Sequence, residues 1–281
     1  MPYRSGGPPA WLDEIDLSVT TAHVRMGTRA LAPAQWLQPD HLAQSETALR
    51  RRLLREQRDH VFACNPSAQE PAEEASALVT GWMDEHAHGS TPFSAAHPLE
   101  RAAAGVQEDL CLMVHHHGAW HLEGAVLCFP SMWVLSEKIG RPTTLVHAPV
   151  PHYADELSAR VDTFFDRLTP AKPVWRRNFS LWPTNALWAP CHRLESAAEL
   201  DSWWVRSERQ TLRRLPRSGA ILFTIRVQMT PLSTLERRPD RARDLAAWLS
   251  APIGESRRRE LGALAVPLLE WLTQVGRDLS D

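Results

Sequence analysis

One histidine of this sequence has neighbours that could suit a metal ligand. Leu145 and Val146 come directly before His147, and Pro149 and Pro151 follow it, so that its backbone is confined. A neutral imidazole held in an apolar wall can serve as the axial ligand of a heme iron. A lone histidine among apolar neighbours is more often a core residue with satisfied hydrogen bonds. Residue type alone leaves both interpretations open.

A second group of polar side chains lies in a predicted β-hairpin over residues 205–229. Two strand-like runs flank a turn at 216–219, which contains Pro216 and Gly219. We expect a three-residue turn in which Leu215 pairs with Gly219. A shift of one residue in this pairing would move every side chain of one strand to the other face of the sheet.

With that pairing, Glu208 lies opposite Arg226, and Gln210 lies opposite Thr224 on the same face. An arginine can donate hydrogen bonds to bound oxygen or to a carboxylate. A glutamate can bind an ammonium group and move a proton. Glu208 and Arg226 are therefore candidate catalytic residues, although a plain cross-strand ion pair would explain them equally well.

The remaining pattern predicts an α+β fold, with an antiparallel β-sheet and flanking α-helices. Alternating residues over 110–128 predict another hairpin, which turns at Gly118. Apolar residues recur at helical spacing before this hairpin and again over 153–168. The C-terminal fifth of the chain also has a helical pattern.

Domain organisation follows from the lack of internal repeats and long low-complexity linkers in the 281 residues. We expect a flexible N-terminal segment over 1–23. A single domain with N-terminal helices would follow over 24–235. A helical extension over 236–281 would pack on that domain.

Composition excludes some functions and leaves others open. A net charge of −2 gives no reason to expect nucleic acid or an acidic membrane as a partner, and no apolar run has transmembrane length. Four cysteines without a C-x-x-C pair indicate a reduced, cytoplasmic protein. The twelve tryptophans indicate either a tryptophan-rich core or a wide apolar pocket for an aromatic or macrocyclic ligand.

Several phrases, taken together and in order, resemble the heme-dependent oxidative N-demethylase family. They are QEDL at 107–110, FPSMW at 129–133, EKIG at 137–140 and HAPVPHY at 147–153. The likeness covers about residues 24–231. It implies a sheet like that of Per-ARNT-Sim (PAS) domains that binds heme b, where O2 is activated to oxidise an N-methyl amine.

The same resemblance implies roles for particular residues. His147 would be the axial ligand of the heme iron, and Glu208 with Arg226 would form the polar site for oxygen and amine. Further residues for binding the cofactor are Tyr153, Arg177 and Asn178. The FPSMW phrase departs from our expectation of a basic or small residue at Met132, and this departure would change the polarity of the pocket.

The resemblance also implies a partner. Family members receive electrons from flavin and iron–sulfur subunits, and this chain has a motif for neither, so we expect an external electron donor such as a partner reductase. The favoured hypothesis is a heme-dependent monooxygenase that demethylates or otherwise oxidises a small amine or amino-acid-derived molecule. The alternatives are a heme-binding gas or redox sensor, and a scaffold subunit that has lost its cofactor.

Overall fold

The computed structural model describes residues 7–19, 27–86, 93–146, 158–190 and 200–277. In these ranges one seven-stranded antiparallel sheet is flanked by helices, which confirms the predicted α+β class. The likeness of the sheet to PAS domains stays a prediction. The strands are β1 Arg29–Ala30, β2 Phe62–Cys64, β3 Asp109–His116, β4 Ala119–Val126, β5 Val174–Trp182, β6 Trp204–Arg214 and β7 Ile221–Pro231. The helices are α1 Ala43–Glu56, α2 Arg58–Val61, α3 Gln69–Glu85, α4 Pro98–Ala103, α5 Thr143–Val146, α6 Ser158–Arg167, α7 Pro239–Ser250, α8 Glu255–Leu261 and α9 Ala265–Arg277.

The sheet is built around the long hairpin of β6 and β7, and its strand order is β1-β5-β6-β7-β3-β4-β2. β5 pairs with the outer side of β6, and β3 pairs with the outer side of β7. Both predicted hairpins are therefore present, and they lie side by side in one sheet.

The connection between β6 and β7 has four residues, not the three that we expected. The backbone N–H of Leu215 donates to the carbonyl oxygen of Ala220 at 2.8 Å, so these two residues close the hairpin across 216–219. Gly219 has a φ of 70°, a conformation that residues with side chains disfavour. The fourth turn residue shifts β7 by one position relative to our prediction.

This shift corrects the predicted site. Glu208 lies opposite Val227, and Arg209 lies opposite Arg226. The expected pairing of Glu208 with Arg226 was therefore wrong. Because successive strand residues point to opposite sides of a sheet, Glu208 and Arg226 lie on opposite sides. We call the two sides the Glu208 face and the Arg226 face.

Helices α1 and α3 cover the middle of the Arg226 face. Glu46 of α1 forms an ion pair of 2.8 Å with Arg226. Trp82 of α3 packs edge-on against Trp36, and the Arg213 guanidinium lies 4.2 Å from the centre of the Trp36 ring. These contacts leave the middle of this face occupied by the protein itself.

A second apolar cluster lies on the Arg226 face near the start of β6. It joins Val205 of β6 to Leu245 of α7 and to Leu12 and Ile15 near the N-terminus. Leu12 belongs to a short 3-10 helix over Ala10–Glu14 and is buried. This part of the segment that we expected to be flexible is thus packed on the sheet. The predicted domain limits at 24 and 236 stay a prediction.

Helices α5 and α6 lie on the Glu208 face. Trp120 points to this face and packs edge-on against Phe165 of α6, with ring centres 5.7 Å apart. The Trp120 ring N–H also donates to Asp166 of α6 at 2.9 Å. Thr143 of α5 donates to Asp162 of α6 at 2.9 Å, which ties the two helices together.

Many tryptophans belong to the core, as the plainer interpretation of the composition predicted. The buried ones among the described residues include Trp36, Trp82, Trp120, Trp182 and Trp203.

Glu74 of α3 holds the β6–β7 turn in place. Its carboxylate accepts hydrogen bonds from the backbone N–H groups of Arg217 and Ser218 at 2.8 and 2.9 Å, and from the Ser218 hydroxyl at 2.7 Å. Burial alone would raise the pKa of Glu74, but these donors outweigh burial and lower it. The turn that sets the register is therefore fixed by a contact with a distant helix.

Glu74→Ala should lower the free energy of unfolding by about 1–3 kcal/mol at pH 7, because two backbone donors lose their acceptor. A carboxyl group whose pKa is lowered by folding stabilises the protein above its ordinary pKa, and this contribution disappears as the pH falls through the lowered value. The cost of Glu74→Ala should therefore shrink in acid. Urea unfolding at several pH values measures it, with the exposed Glu73→Ala on the same helix as control, expected within about 0.5 kcal/mol of wild type. Equal costs for the two variants would contradict this account of the turn.

Candidate functional site

The carboxylate of Glu208 collects three hydrogen bonds on the Glu208 face. Ser131 donates to Oε1 at 2.5 Å, and Gln210 and Asn178 donate to Oε2 at 2.9 and 3.2 Å. Asn178 lies directly opposite Glu208 on β5, so the structure brings these two predicted site residues together. All three donors are neutral. Within the described parts of the chain, Glu208 forms no ion pair, and its negative charge is not balanced by direct contact.

A buried arginine lies two residues before Glu208 on the same face. Arg206 donates from Nε to the Ser131 hydroxyl at 2.9 Å and from Nη2 to the carbonyl oxygen of Phe129 at 2.8 Å. Its guanidinium carbon lies 4.7 Å from the centre of the Trp182 ring. Burial lowers the pKa of Arg206, while the charge of Glu208 opposes this shift. Ser131 therefore lies between a cation and an anion that do not touch.

An apolar row runs beside this polar group. Ile225 and Val227 of β7 are buried on the Glu208 face, and Phe223 in the same row is half-buried. Glu208, Asn178 and Gln210 are also half-buried. The face thus combines a half-buried anionic group with adjacent apolar side chains, and this combination suits a small cation with apolar substituents.

Sequence reasoning placed Gln210 on the same face as Glu208 but missed Ser131 and Arg206 as parts of this group. The signal was present in the sequence, because Arg206, Glu208 and Gln210 alternate along β6 and must share a face. The wrong register directed attention to Arg226 instead.

The QEDL phrase positions the segment that carries Ser131. Asp109 accepts hydrogen bonds from the backbone N–H groups of Cys128 and Phe129 at 2.8 and 3.0 Å, and from Arg50 of α1 at 2.7 Å. Gln107 accepts from the backbone N–H of Asp40 at 3.0 Å. The polar residues of this phrase therefore join the N-terminal helices to the strand and to the FPSMW segment.

Arg226 lies in an ion-pair network on the opposite face. Its guanidinium contacts Asp40 at 2.7 Å and Glu46 at 2.8 Å. Burial would raise the pKa of Asp40, but the charge of Arg226 and a hydrogen bond from Gln107 outweigh burial and lower it. For Glu46, burial is the larger effect and raises its pKa. The predicted joint site of Arg226 and Glu208 is not formed.

Arg177 also points to the Arg226 face, away from its neighbour Asn178. Its guanidinium contacts Glu14 at 2.7 Å and donates to Ser207 and Gln228 at 3.1 and 2.9 Å. Burial lowers the pKa of Arg177 to about 10, and Glu14 opposes this shift. This arginine holds the N-terminal 3-10 helix on the sheet.

The other two predicted site residues, His147 and Tyr153, lie outside the described residues. The described chain reaches Val146 at the end of α5 and resumes at Ser158 at the start of α6. Both of these helices lie on the Glu208 face. In the described ranges, no three His, Cys, Asp or Glu side chains are arranged to hold a metal ion, whereas a heme iron takes only one or two axial ligands from the protein.

Comparison with known families agrees with the resemblance of the sequence phrases. The family model described as "Haem-dependent oxidative N-demethylase, alpha subunit-like" matches residues 80–252, which is more than half of the chain. The chain belongs to this family. No curated protein matches the chain. Among the helices of the described ranges, none has the length and apolar character needed to span a bilayer.

The position of Arg226 leads to a prediction about stability. Arg226→Met should lower the free energy of unfolding by about 3–5 kcal/mol at pH 7, because it leaves the carboxylates of Asp40 and Glu46 without their cation. Since Asp40 has a lowered pKa, its share of this loss should disappear as the pH falls through that value.

Urea unfolding measures the loss, and the exposed Arg52→Met of α1 is the control, with an expected change of at most about 0.5 kcal/mol. An Arg226→Met protein as stable as wild type but without amine oxidation would instead support a direct role of Arg226 in the reaction.

Proposed function

We propose that this chain is the heme-binding subunit of an enzyme that uses O2 to demethylate, or otherwise oxidise, a small amine or amino-acid-derived substrate. The observation that carries the proposal is the Glu208 carboxylate, which is half-buried, held by three neutral donors and adjacent to an apolar row. Membership of a family named for oxidative N-demethylation supports the same conclusion.

The proposed place for heme b is the Glu208 face, with His147 as axial ligand and Tyr153 as a further contact. Two features support this choice. The helices on either side of the segment with His147 lie on this face, whereas α1, α3 and α7 occupy the Arg226 face. The half-buried Phe223 and its neighbour Ile225 are apolar, which is the chemical character that the flat side of a porphyrin requires of its contacts. A bound heme would supply O2 binding and the oxidising chemistry.

Glu208 would bind the protonated amine. A carboxylate without a direct cationic partner attracts an ammonium group, and the nearby apolar side chains accommodate its methyl groups. Glu208 could also accept the ammonium proton, so that the nitrogen lone pair becomes available. Asn178 would keep the carboxylate oriented. Demethylation then converts the N-methyl amine, O2, two electrons and two protons into the demethylated amine, formaldehyde and water.

We propose structural roles for Arg226 and Arg177, in place of the catalytic and cofactor-binding roles that the sequence suggested. Both guanidinium groups are used by carboxylates that anchor N-terminal elements. Charged groups that are already paired and buried have little capacity left for a ligand.

The electrons would come from a separate reductase. The family description refers to an alpha subunit, which supports a multi-subunit enzyme, and the sequence has no motif for flavin or iron–sulfur binding. We keep the cytoplasm as the proposed location. Cys64, Cys111 and Cys128 are free thiols, which suits a reducing compartment.

His147→Ala should purify without heme, because the iron loses its axial ligand. The Soret absorption of protein purified after heme supplementation measures this, with and without dithionite and CO. His115→Ala, at an exposed position of the β3–β4 hairpin, is the control and should keep wild-type heme content. A fully heme-loaded His147→Ala protein would show that another residue is the ligand.

Glu208→Gln should keep its heme but lower kcat/KM for amines by about 10²–10⁴-fold, because the neutral amide neither attracts an ammonium group nor accepts its proton. Formaldehyde release from a panel of N-methylated amines measures the rate, with ascorbate and a redox mediator as electron donor. Turnover equal to wild type would remove Glu208 from the mechanism. Heme that binds O2 and CO in the wild type without oxidising any amine would favour the sensor.

A further inference from the structure

We propose that Ser131 is a positioning residue that directs Glu208 toward an N–H group of the substrate, and that Arg206 sets the direction of the Ser131 hydroxyl proton. The inference rests on the function proposed above and narrows its substrate class. The Ser131 hydroxyl lies 2.5 Å from Glu208 Oε1 and 2.9 Å from Arg206 Nε. It is therefore in contact with both charged side chains.

The chemistry of the three groups leaves one arrangement of protons. A guanidinium nitrogen only donates hydrogen bonds, so the Ser131 oxygen must be the acceptor in its bond with Arg206. The single proton of the hydroxyl is then free to point at Glu208. Arg206 thus turns Ser131 into a donor toward the carboxylate.

Arg206 also fixes the backbone on which Ser131 lies. Besides its bond to Ser131, it donates to the carbonyl oxygens of Phe129 and Pro130 at 2.8 and 3.3 Å. The residue is fully buried, with its guanidinium packed against the Trp182 ring. Because three bonds hold successive residues, the hydroxyl cannot move away without breaking buried contacts.

The next residue strengthens this constraint from the other side. Met132 donates its backbone N–H to Ala189 at 3.2 Å and has a φ of 56°, which is unusual for a residue other than glycine. Ser131 itself forms a parallel β-bridge with Ala189. The turn after Ser131 is therefore held in a conformation that the free chain would rarely adopt.

The number of acceptor positions on the carboxylate then defines the substrate. A carboxylate has about four lone-pair positions. Asn178 and Gln210 use both positions on Oε2, and Ser131 uses one on Oε1. The remaining position lies on Oε1, the atom that Ser131 orients. We therefore expect the site to bind protonated amines that keep at least one N–H, and to discriminate against quaternary ammonium ions.

A matched pair of cations tests this in the heme-loaded protein. Trimethylammonium has one N–H and tetramethylammonium has none, although both carry one positive charge. By calorimetry, trimethylammonium should bind the wild type about tenfold more tightly, the expected effect of one hydrogen bond to a charged group. Equal affinities would overturn the proposed selection for an N–H group.

Three serine variants separate positioning from folding. Ser131→Ala should weaken trimethylammonium binding and raise KM by about tenfold, with a smaller effect on kcat. Ser131→Thr keeps the hydroxyl and should stay within about threefold of wild type. Ser76→Ala removes another partly buried serine hydrogen bond, to Pro98 in the helical layer, and should leave both constants unchanged. Equal losses in the Ala and Thr variants of Ser131 would overturn the inference.

A double-mutant cycle tests the Ser131–Glu208 contact without relying on turnover. Ser131→Ala and Glu208→Gln should be non-additive, by about tenfold in the urea-derived unfolding constant. Additive effects would overturn the inference. If Glu208→Gln changes neither amine binding nor turnover, the proposed function of Glu208 fails instead. If it changes them while Ser131→Ala does not, only the positioning role fails.

Discussion

The register between β6 and β7 is the constraint on which the rest of this structure depends. Four residues connect the strands, and Glu74 of α3 binds two of their backbone N–H groups. One residue fewer would place Glu208 and Arg226 on the same side of the sheet. The contact of Glu74 with the turn and the positive φ of Gly219 therefore decide which charged side chains lie on the Glu208 face.

A continuous hydrogen-bonded path joins the two faces of the sheet. Arg50 of α1 binds Asp109, and Asp109 accepts the backbone N–H groups of Cys128 and Phe129. The carbonyl oxygen of Phe129 accepts from Arg206, which continues through Ser131 to Glu208. Three of the seven residues on this path belong to phrases that carry the family resemblance: Asp109 of QEDL, and Phe129 and Ser131 of FPSMW. These two phrases are joined directly, because the Phe129 N–H donates to Asp109.

The sequence predicted the local elements well and the relations between them poorly. Alternation over 205–229 predicted both strands, because side-chain period depends only on neighbouring residues. The register depended on turn length and on Glu74, which is remote in sequence. On β4, a bulge at Glu123 places Gly124 on the face opposite Leu122, although strict alternation would put both residues on one face. Near the C-terminus, Pro267 lies in the first turn of α9, where it needs no N–H, and the preceding helix α8 ends before Gly262.

The candidate site shows the same division between local pattern and tertiary contact. Glu208 could be named from the alternation of the predicted hairpin, and Asn178 from the family resemblance. Ser131 could not be assigned a role, since its partners lie 75 and 77 residues away. The role of Arg226 could not be chosen from the sequence, because an arginine near a glutamate is compatible with catalysis and with an ion pair. The two carboxylates packed on it, Asp40 and Glu46, support the structural role that we propose.

The two faces of the sheet use charge in opposite ways. On the Arg226 face, Arg177 and Arg226 contact carboxylates, so that their charge is neutralised where N-terminal elements pack on the sheet. On the Glu208 face, Ser131 separates Arg206 from the carboxylate, which receives only neutral donors. A direct Arg206–Glu208 pair would lower the cost of burying either group but would occupy the acceptor that an ammonium needs. In the proposed function, the intervening hydroxyl orients the carboxylate and leaves its negative charge for the substrate.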